Sequence, residues 1–377
     1  MIEWQKIKLG DAPLEIIDGD RGKNYPKRNE FFDSGFCLFL NAKNVTRTGF
    51  SFSELNFITQ TKDERLRKGK LKRGDLVLTT RGTVGNVAYY DKEIPYKHMR
   101  INSGMVIIRP AGIDERFNYY LFKFLNNQIK VFTSGTAQPQ LPIRDLVKIP
   151  IFLPPLSDQC AISGFLSTFD KKIKLLHRQN QTLEALAQTL FRQWFVEEAE
   201  DDWEVGKLGD LVEFNYGKGL KKSIRTGMGY PVVGSSGIVD YHAEYLVEGP
   251  GIVTGRKGTL GEVIYFFDNF YPIDTTFFVK TKKDSPNLYY EYYLLKTIGF
   301  KKMNTDSAVP GLNRNNALSV EVIIPPQNKI SQFNDFVHLL FQKRKANQTQ
   351  IHTLEKLRDI LLHKLLNGEV QLQGGHD

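Results

Sequence analysis

Ile149-Pro150-Ile151-Phe152-Leu153-Pro154-Pro155-Leu156-Ser157-Asp158-Gln159-Cys160-Ala161-Ile162 divides two kinds of sequence. Before it, short β-branched and aromatic runs alternate with Gly, Pro and Asp, the pattern of strands and turns. After it, apolar residues recur at Ile162, Phe165, Phe169, Ile173, Leu176, Leu183, Leu190 and Trp194, with Asn180 and Ala187 filling the gaps. Steps of three and four mark the seam of a long helix that packs on another helix. The proline pair stops the strands and starts the helix.

The same transition returns at Pro325-Pro326. The second seam reads Phe333, Val337, Leu340, Arg344, Asn347, Ile351, Leu354, Arg358, Leu361 and Leu365, and is weakened by three polar members. Gly368 is its expected stop. Each helix should run about 40 residues, or about 60 Å. A stripe of that length needs a partner. The simplest partner is the other helix of the same chain, lying antiparallel; a parallel homodimer is the alternative. Asn180 and Asn347 are suited to fixing the register.

Working outward, the chain proves to be duplicated. Trp4, Lys8, Leu9, Gly10 and Asp11 return as Trp203, Lys207, Leu208, Gly209 and Asp210. Arg81-Gly82-Thr83-Val84-Gly85 returns as Lys257-Gly258-Thr259-Leu260-Gly261, and Tyr89-Tyr90 and Tyr265-Phe266 follow. Pro139-x-Leu141 before Pro154-Pro155 returns as Pro310-x-Leu312 before Pro325-Pro326. Three matches in one order indicate two copies of one unit. Strands are expected at 75–80, 86–90, 104–109, 252–254, 262–267 and 275–280, forming a curled antiparallel sheet in each copy. Aromatic helices are expected over Phe117 to Phe132 and Leu288 to Met303. The fold class is α+β: two duplicated globular domains, 1–154 and 199–325, separated by an antiparallel coiled coil of two long helices, 155–198 and 326–370.

Composition narrows the function. The 377 residues are 41% hydrophobic, enough for real cores, and carry a net charge of +9. That charge favours a polyanion, with nucleic acid first. The two cysteines, Cys37 and Cys160, make no disulfide framework and no zinc site. Cys37 reads as a small buried hydrophobe. The opening MIEWQKIK has no apolar core of a signal peptide, and no apolar run approaches the ~20 residues of a membrane span; the cytoplasm is the expected compartment. No metal or cofactor is expected. Gly255 to Gly261 lacks the G-K-[ST] ending of a phosphate loop and leads into a strand. Neither Pro-Pro pair sits in the Asp/Asn-Pro-Pro-aromatic setting of an adenine methyltransferase, and no His pattern suggests a metal enzyme.

The proline–helix transition, continued by Phe169-Asp170-Lys171-Lys172-Ile173, resembles the central conserved region of type I restriction-modification specificity subunits, P-x-x-P-P-L-x-x-Q-x-x-I. Ile323-Ile324-Pro325-Pro326-Gln327-Asn328-Lys329-Ile330 resembles the distal one. It departs from it by lacking the Leu after the prolines and by placing Ile330 where Gln159 stands. The G-T-x-G and W-x-x-x-K-L-G-D stretches are also similar, so the resemblance covers nearly the whole chain. It implies a non-catalytic subunit with two target-recognition domains, each reading half of a split sequence in double-stranded DNA. It also implies that the helices are a ruler that docks two methylation subunits and, through them, motor-nuclease subunits, with no membrane partner. A specificity subunit serving a fused nuclease-methylase, a DNA-acting enzyme and a purely structural coiled-coil dimer remain the alternatives.

DNA contacts call for Lys and Arg on phosphates, and for Arg, Asn or Gln on bases. In the first domain the candidates are Arg21, Lys23, Lys27, Arg28, Lys43, Asn44, Arg47, Arg81 and Thr83, with Gln138 and Gln140 in the loop 134–140. In the second they are Lys218, Lys221, Lys222, Arg225, Ser235, Ser236, Arg256, Lys257, Thr259, Asn313 and Arg314. The recurrence of the loops at Arg81 and Lys257 favours them, although their glycines also suit a plain tight turn. The basic run Arg65 to Arg73 reads as a solvated face.

Overall fold

The computed structural model describes residues 4–133, 139–283, 285–303 and 311–372. Gln138 and the rest of 134–138 lie outside them, as does Pro310. The chain divides into two compact units: residues 1–174 with 352–377, and residues 175–351.

Unit 1 is built on a four-stranded antiparallel sheet in the order Leu14–Asp18, Met105–Pro110, Leu76–Thr79, Val87–Tyr89. Leu76 to Thr79 are all buried because successive side chains enter different cores. Leu76, Leu78, Val106 and Ile108 join the core containing Phe117, Tyr120 and Leu121 of the aromatic helix. Val77, Ala88, Met105 and Ile107 join a second core with Leu38, Leu40, Met99 and Ile101. The sheet is thus a middle layer with apolar matter on both faces, which is why its strands read as unbroken apolar runs.

Unit 2 repeats the plan with Val212–Tyr216, Thr276–Thr281, Gly251–Gly255 and Val263–Phe266. In both units the W-x-x-x-K-L-G-D segment forms a short strand paired with the strand just before the prolines: Gln5–Lys8 with Pro150–Leu153, and Glu204–Lys207 with Glu321–Ile324. Leu9 N donates to Ile149 O at 2.8 Å, and Leu208 N to Val320 O at 2.8 Å.

The expected sheet was wholly antiparallel; each unit in fact adds a small mixed sheet. In unit 1 Cys37–Leu40 pairs antiparallel with Phe57–Ile58 and parallel with Met99–Ile101. In unit 2 Tyr230–Gly234 pairs antiparallel with Gly237–His242 and parallel with Tyr271–Pro272. Cys37 is fully buried there, as expected. The aromatic helices are shorter than expected: Glu115–Phe124 and Asn126–Val131 replace one run, and Tyr289–Thr297 ends before the turn at Gly299.

The long helices span Leu156–Arg192 and Gln327–Leu366. Within each unit their segments run antiparallel. In unit 1 Asp170 meets Arg358 at 2.7 Å, while Ile162 and Leu166 share a core with Leu362, Leu365 and Leu366. In unit 2 Asn347 Nδ2 donates to Asn180 Oδ1 at 2.8 Å, Arg344 pairs with Glu184, and Phe333 packs on Phe191 and Phe195. The expected seam holds at Ile162, Ile173, Leu176 and Ala187 of the first helix and at Phe333, Val337, Asn347, Ile351 and Leu365 of the second, and is displaced by one residue at a few other positions. Leu166 is buried where Phe165 was expected, and Phe191 and Phe195 are buried where Leu190 and Trp194 were expected. On the second helix Phe341 and Leu362 similarly replace Leu340 and Leu361.

A carboxylate on the first long helix joins helix pair and aromatic helix in each unit. Tyr120 Oη donates to Asp170 at 2.5 Å, alongside Arg358. Tyr292 and Tyr293 hydroxyls donate to Glu184 at 3.1 Å each, and Lys296 Nζ at 2.6 Å, alongside Arg344. Burial alone would raise the Glu184 carboxyl, but Arg344 and Lys296 outweigh it and hold it below the usual glutamate value. A carboxylate depressed by folding contributes stability above its unfolded pKa, about 4.3, and loses it as pH falls through the folded value. Glu184→Gln should therefore lower stability at pH 7 by on the order of 2–4 kcal/mol. It should also flatten the acid loss below about pH 4.3. Urea unfolding at pH 7 and pH 3 measures both; an unchanged acid slope in the variant would count against the assignment.

Candidate nucleic-acid interface

The two G-T-x-G loops leave the same end of the same strand in each unit and are pinned by the same main-chain bonds. In unit 1 Thr80 N and Arg81 N both donate to Gly104 O, at 2.8 and 3.1 Å, and Leu141 N donates to Thr80 O at 2.9 Å. In unit 2 Arg256 N and Lys257 N both donate to Thr275 O, at 2.9 and 3.1 Å, and Leu312 N donates to Arg256 O at 2.9 Å. Arg81 bridges to Gln140, and Lys257 to Gly311. Gly82 and Gly258 adopt φ of +74° and +81°, so the loops do need their glycines for conformation. The tips carry exposed Arg81 and Thr83 in one unit, and exposed Lys257 and Thr259 in the other.

In unit 2 the structure gathers Arg256, Lys257, Asn313 and Arg314 around Tyr216 in a recess of about 290 Å³. The Arg256 guanidinium lies 4.8 Å from the Tyr216 ring centre and donates to Asp274 O at 2.9 Å. The Arg314 guanidinium lies 5.4 Å from the same ring. Asn313 Oδ1 accepts from Asn315 N and Asn316 N, opening the turn that carries Arg314. Ser235 lies against the loop, its Oγ 3.5 Å from where a side chain at Gly258 would begin. Ser236, Lys218, Lys221 and Lys222 are exposed and are not among the described residues that line the recess. Arg225 is drawn inward, donating to Leu220 O at 2.9 Å.

In unit 1 Arg47 and Thr83 line a cleft of about 540 Å³ with Lys123, Lys130, Arg358 and His363. Arg21 sits beside the loop base, 3.1 Å from Asp18 and 3.4 Å from Ser103 O. Gln140 is exposed beside Arg81. Lys23, Lys27 and Arg28 are exposed, and Lys43 pairs with Glu54 at 2.8 Å. Asn44 is buried, its amide donating to Ser51 O and Glu54 O and its Oδ1 accepting from Asn41 N, so it braces its own loop. The basic run 65–73 is largely exposed, as read from sequence.

Sequence reasoning missed Tyr216, Lys123 and Lys130. Tyr216 stands at the end of a strand whose alternate residues Val212 and Phe214 are buried, yet it is 50% exposed. An aromatic residue kept open just before Gly217-Lys218 was the available signal. Exposed apolar residues also stand on the long helices: Leu357 and Ile360 in unit 1, and Leu175, Leu186, Phe336 and Leu339 in unit 2. Among the described residues no cluster of three His, Cys, Asp or Glu could hold a metal, and no helix is long and apolar enough to cross a membrane.

A duplicated α+β chain with a cationic loop at the same sheet end of each copy defines the class of the fold: two repeated domains, each joined to segments of the long helices. The family profile described as "Type I restriction modification DNA specificity domain" matches residues 1–185 and again 200–367. The chain belongs to that family, whose specificity subunits are the non-catalytic components of type I restriction-modification systems. It is 26% identical over 348 residues to the type I restriction enzyme MjaIX specificity subunit of Methanocaldococcus jannaschii, covering 80% of this chain and 78% of that protein. It is 25% identical over 307 residues to the putative type I specificity subunit S.MgeORF438P of Mycoplasma genitalium, covering 75% and 78%. The crystal structure of the type I restriction-modification S subunit from M. genitalium shares the fold, with a TM-score of 0.55 at 21% identity over 97% of this chain and 96% of that one.

Gly255 shows how tightly the unit 2 loop is closed: a Cβ there would meet Thr259 O at 2.0 Å, whereas at Gly82 it would meet open space. Gly255→Ala should open loop 256–261, seen as faster amide hydrogen exchange there. Gly82→Ala should cost only the left-handed backbone penalty, about 1–2 kcal/mol. Equal exchange in Gly255→Ala and the parent would contradict this packing.

Proposed function

We propose that the chain is the sequence reader of a type I complex: it binds double-stranded DNA, each unit reading one half of a bipartite target. One observation carries this reading. The same main-chain frame occurs twice with different side chains at the same sheet end, as expected of two readers of two different half-sites. The net charge of +9 supports a polyanion partner. Arg21, Arg47, Arg81, Thr83 and Gln140 are the proposed contacts of unit 1. Ser235, Arg256, Lys257, Thr259, Asn313 and Arg314 are those of unit 2, with Lys123 and Lys130 added as phosphate contacts in unit 1.

The long helices serve as ruler and dock. Their exposed Leu357, Ile360, Phe336 and Leu339 are apolar area that methylation subunits would cover, and motor-nuclease subunits would join through those. The complex works in the cytoplasm. Major-groove half-sites commonly lie about 34 Å apart, and the helix pair sets that spacing.

The test is a methylome. This chain is co-expressed with the methylation subunit encoded beside it, in a host without DNA methylation, and modified bases are mapped. A split, asymmetric motif that depends on this chain is expected; a symmetric motif, or none from an intact complex, overturns the reading. Removing one heptad from both helices should change the unread spacer and keep both half-sites. Altered half-sites with the old spacer would refute the ruler.

A further inference from the structure

The recess of unit 2 has a composition that ordinary surface charge does not. Tyr216, Arg256, Lys257, Asn313 and Arg314 line it with Gly311, Leu312 and Asn315, and no carboxylate is among them. The two guanidiniums are not equivalent. Arg256 is committed: it donates to Asp274 O and lies against both Tyr216 and Phe277, at 4.8 and 5.7 Å. Arg314 rests on Tyr216 alone and makes no hydrogen bond or ion pair with the described residues. None of its donors is taken up by the described residues, while the ring beneath limits how its plane can turn.

Three of these places in unit 1 carry none of this chemistry, and only that of Lys257, held by Arg81, is cationic in both. Tyr216 pairs with Phe277 in the sheet as Asp18 pairs with Val106. Arg256 N donates to Thr275 O as Thr80 N donates to Gly104 O. Arg314 opens the helix Arg314–Leu318 as Ile143 opens Ile143–Leu146. Aromatic, arginine and arginine thus stand where unit 1 has Asp18, Thr80 and Ile143. A general phosphate grip would serve both units alike; this feature belongs to one.

We propose that Arg314, seated on Tyr216 beside Arg256, reads a guanine in the half-site of unit 2, and that Lys257 at the rim holds a neighbouring phosphate. The inference rests on the DNA-reading function proposed above. Guanine offers O6 and N7 as two acceptors on its major-groove edge, which match a planar two-donor fork; adenine presents an amino donor in place of O6. A stacked guanidinium suits that edge, and a flexible ammonium suits a point charge on a phosphate. Arg256 is a positioning residue: it completes the cationic wall and orients the ring.

The experiment uses the complex with its methylation subunit and duplexes carrying every base change across the mapped unit 2 half-site. Arg314→Ala should lose discrimination at one G·C position by on the order of 10- to 100-fold, with the unit 1 half-site unchanged. Arg314→Lys, which keeps the charge but loses the fork, should lose the same discrimination while keeping the salt dependence. Lys257→Ala should weaken all sequences alike and reduce the salt slope by about 1. If Arg314→Ala keeps full discrimination and only lowers the salt slope, Arg314 is a phosphate contact and the inference fails while DNA reading stands. If the parent complex shows no sequence preference at all, the proposed function itself falls, and this inference with it.

Discussion

Each unit depends on a carboxylate drawn partly out of water at the meeting of three helical segments. Asp170 and Glu184 cannot stand there alone, because a carboxylate in an apolar setting needs cations and donors around it. Arg358 with Tyr120, and Arg344 with Lys296, Tyr292 and Tyr293, supply them. Such a junction adds less net stability than apolar packing of equal volume would. What it adds is direction. The tyrosine hydroxyls come from the aromatic helix, the arginine comes from the second long helix, and sliding either leaves a charge unpaired. Asn347 with Asn180 works alike in unit 2, where a buried amide accepts only one register. The aromatic helix shares a core with the sheet that carries the loop, so the cluster fixes where that loop stands relative to the helix segments of its own unit.

The frame and its contents obey different rules. The pins at the loop base join main-chain atoms: residues 80 and 81 to Gly104 O, and residues 256 and 257 to Thr275 O. The side chains they carry are free to differ, and they do. The braces also differ. Thr79 Oγ1 accepts from Asn86 N at 3.0 Å across the first loop, whereas Gly255 lets the second close directly onto the carbonyl of Thr259.

The duplication, the proline transitions and the two long helices were legible in the sequence, because each rests on spacing that local physics enforces. The one-residue displacements in the buried stripe were not, since one residue of phase is a matter of how two real helices meet. The small mixed sheets were hidden because Leu38 pairs with Met99 across many residues of intervening chain, and short non-local parallel pairs leave no periodic trace. Ile330 stands at the place of Gln159, and the sequence does not show where the interaction of that amide goes in the second copy. The structure shows it moved by one turn. Gln159 Oε1 accepts from Asp114 N at 2.9 Å, and Asn334 Oδ1 accepts from Tyr290 N at 3.0 Å, each amide tying a long helix to the start of its aromatic helix. At the interface, the loops around Arg81 and Lys257 could be found from their recurrence. Asn44 could not be told from a reader, because carbonyls that consume an amide are invisible in sequence. Tyr216 was not singled out, because the exposure of a ring at a strand end is equally invisible there.

Main-chain pinning has a further consequence for how such a chain can change over generations. Where a loop is held by its own N–H and C=O groups, replacing the side chain at Arg81, Gln140, Lys257 or Arg314 removes no bond on which the loop base depends. Single substitutions there alter what the surface displays without first weakening what holds it up. New preferences can accumulate one position at a time through folded intermediates, and each unit can drift on its own while the buried junctions remain under stabilising selection.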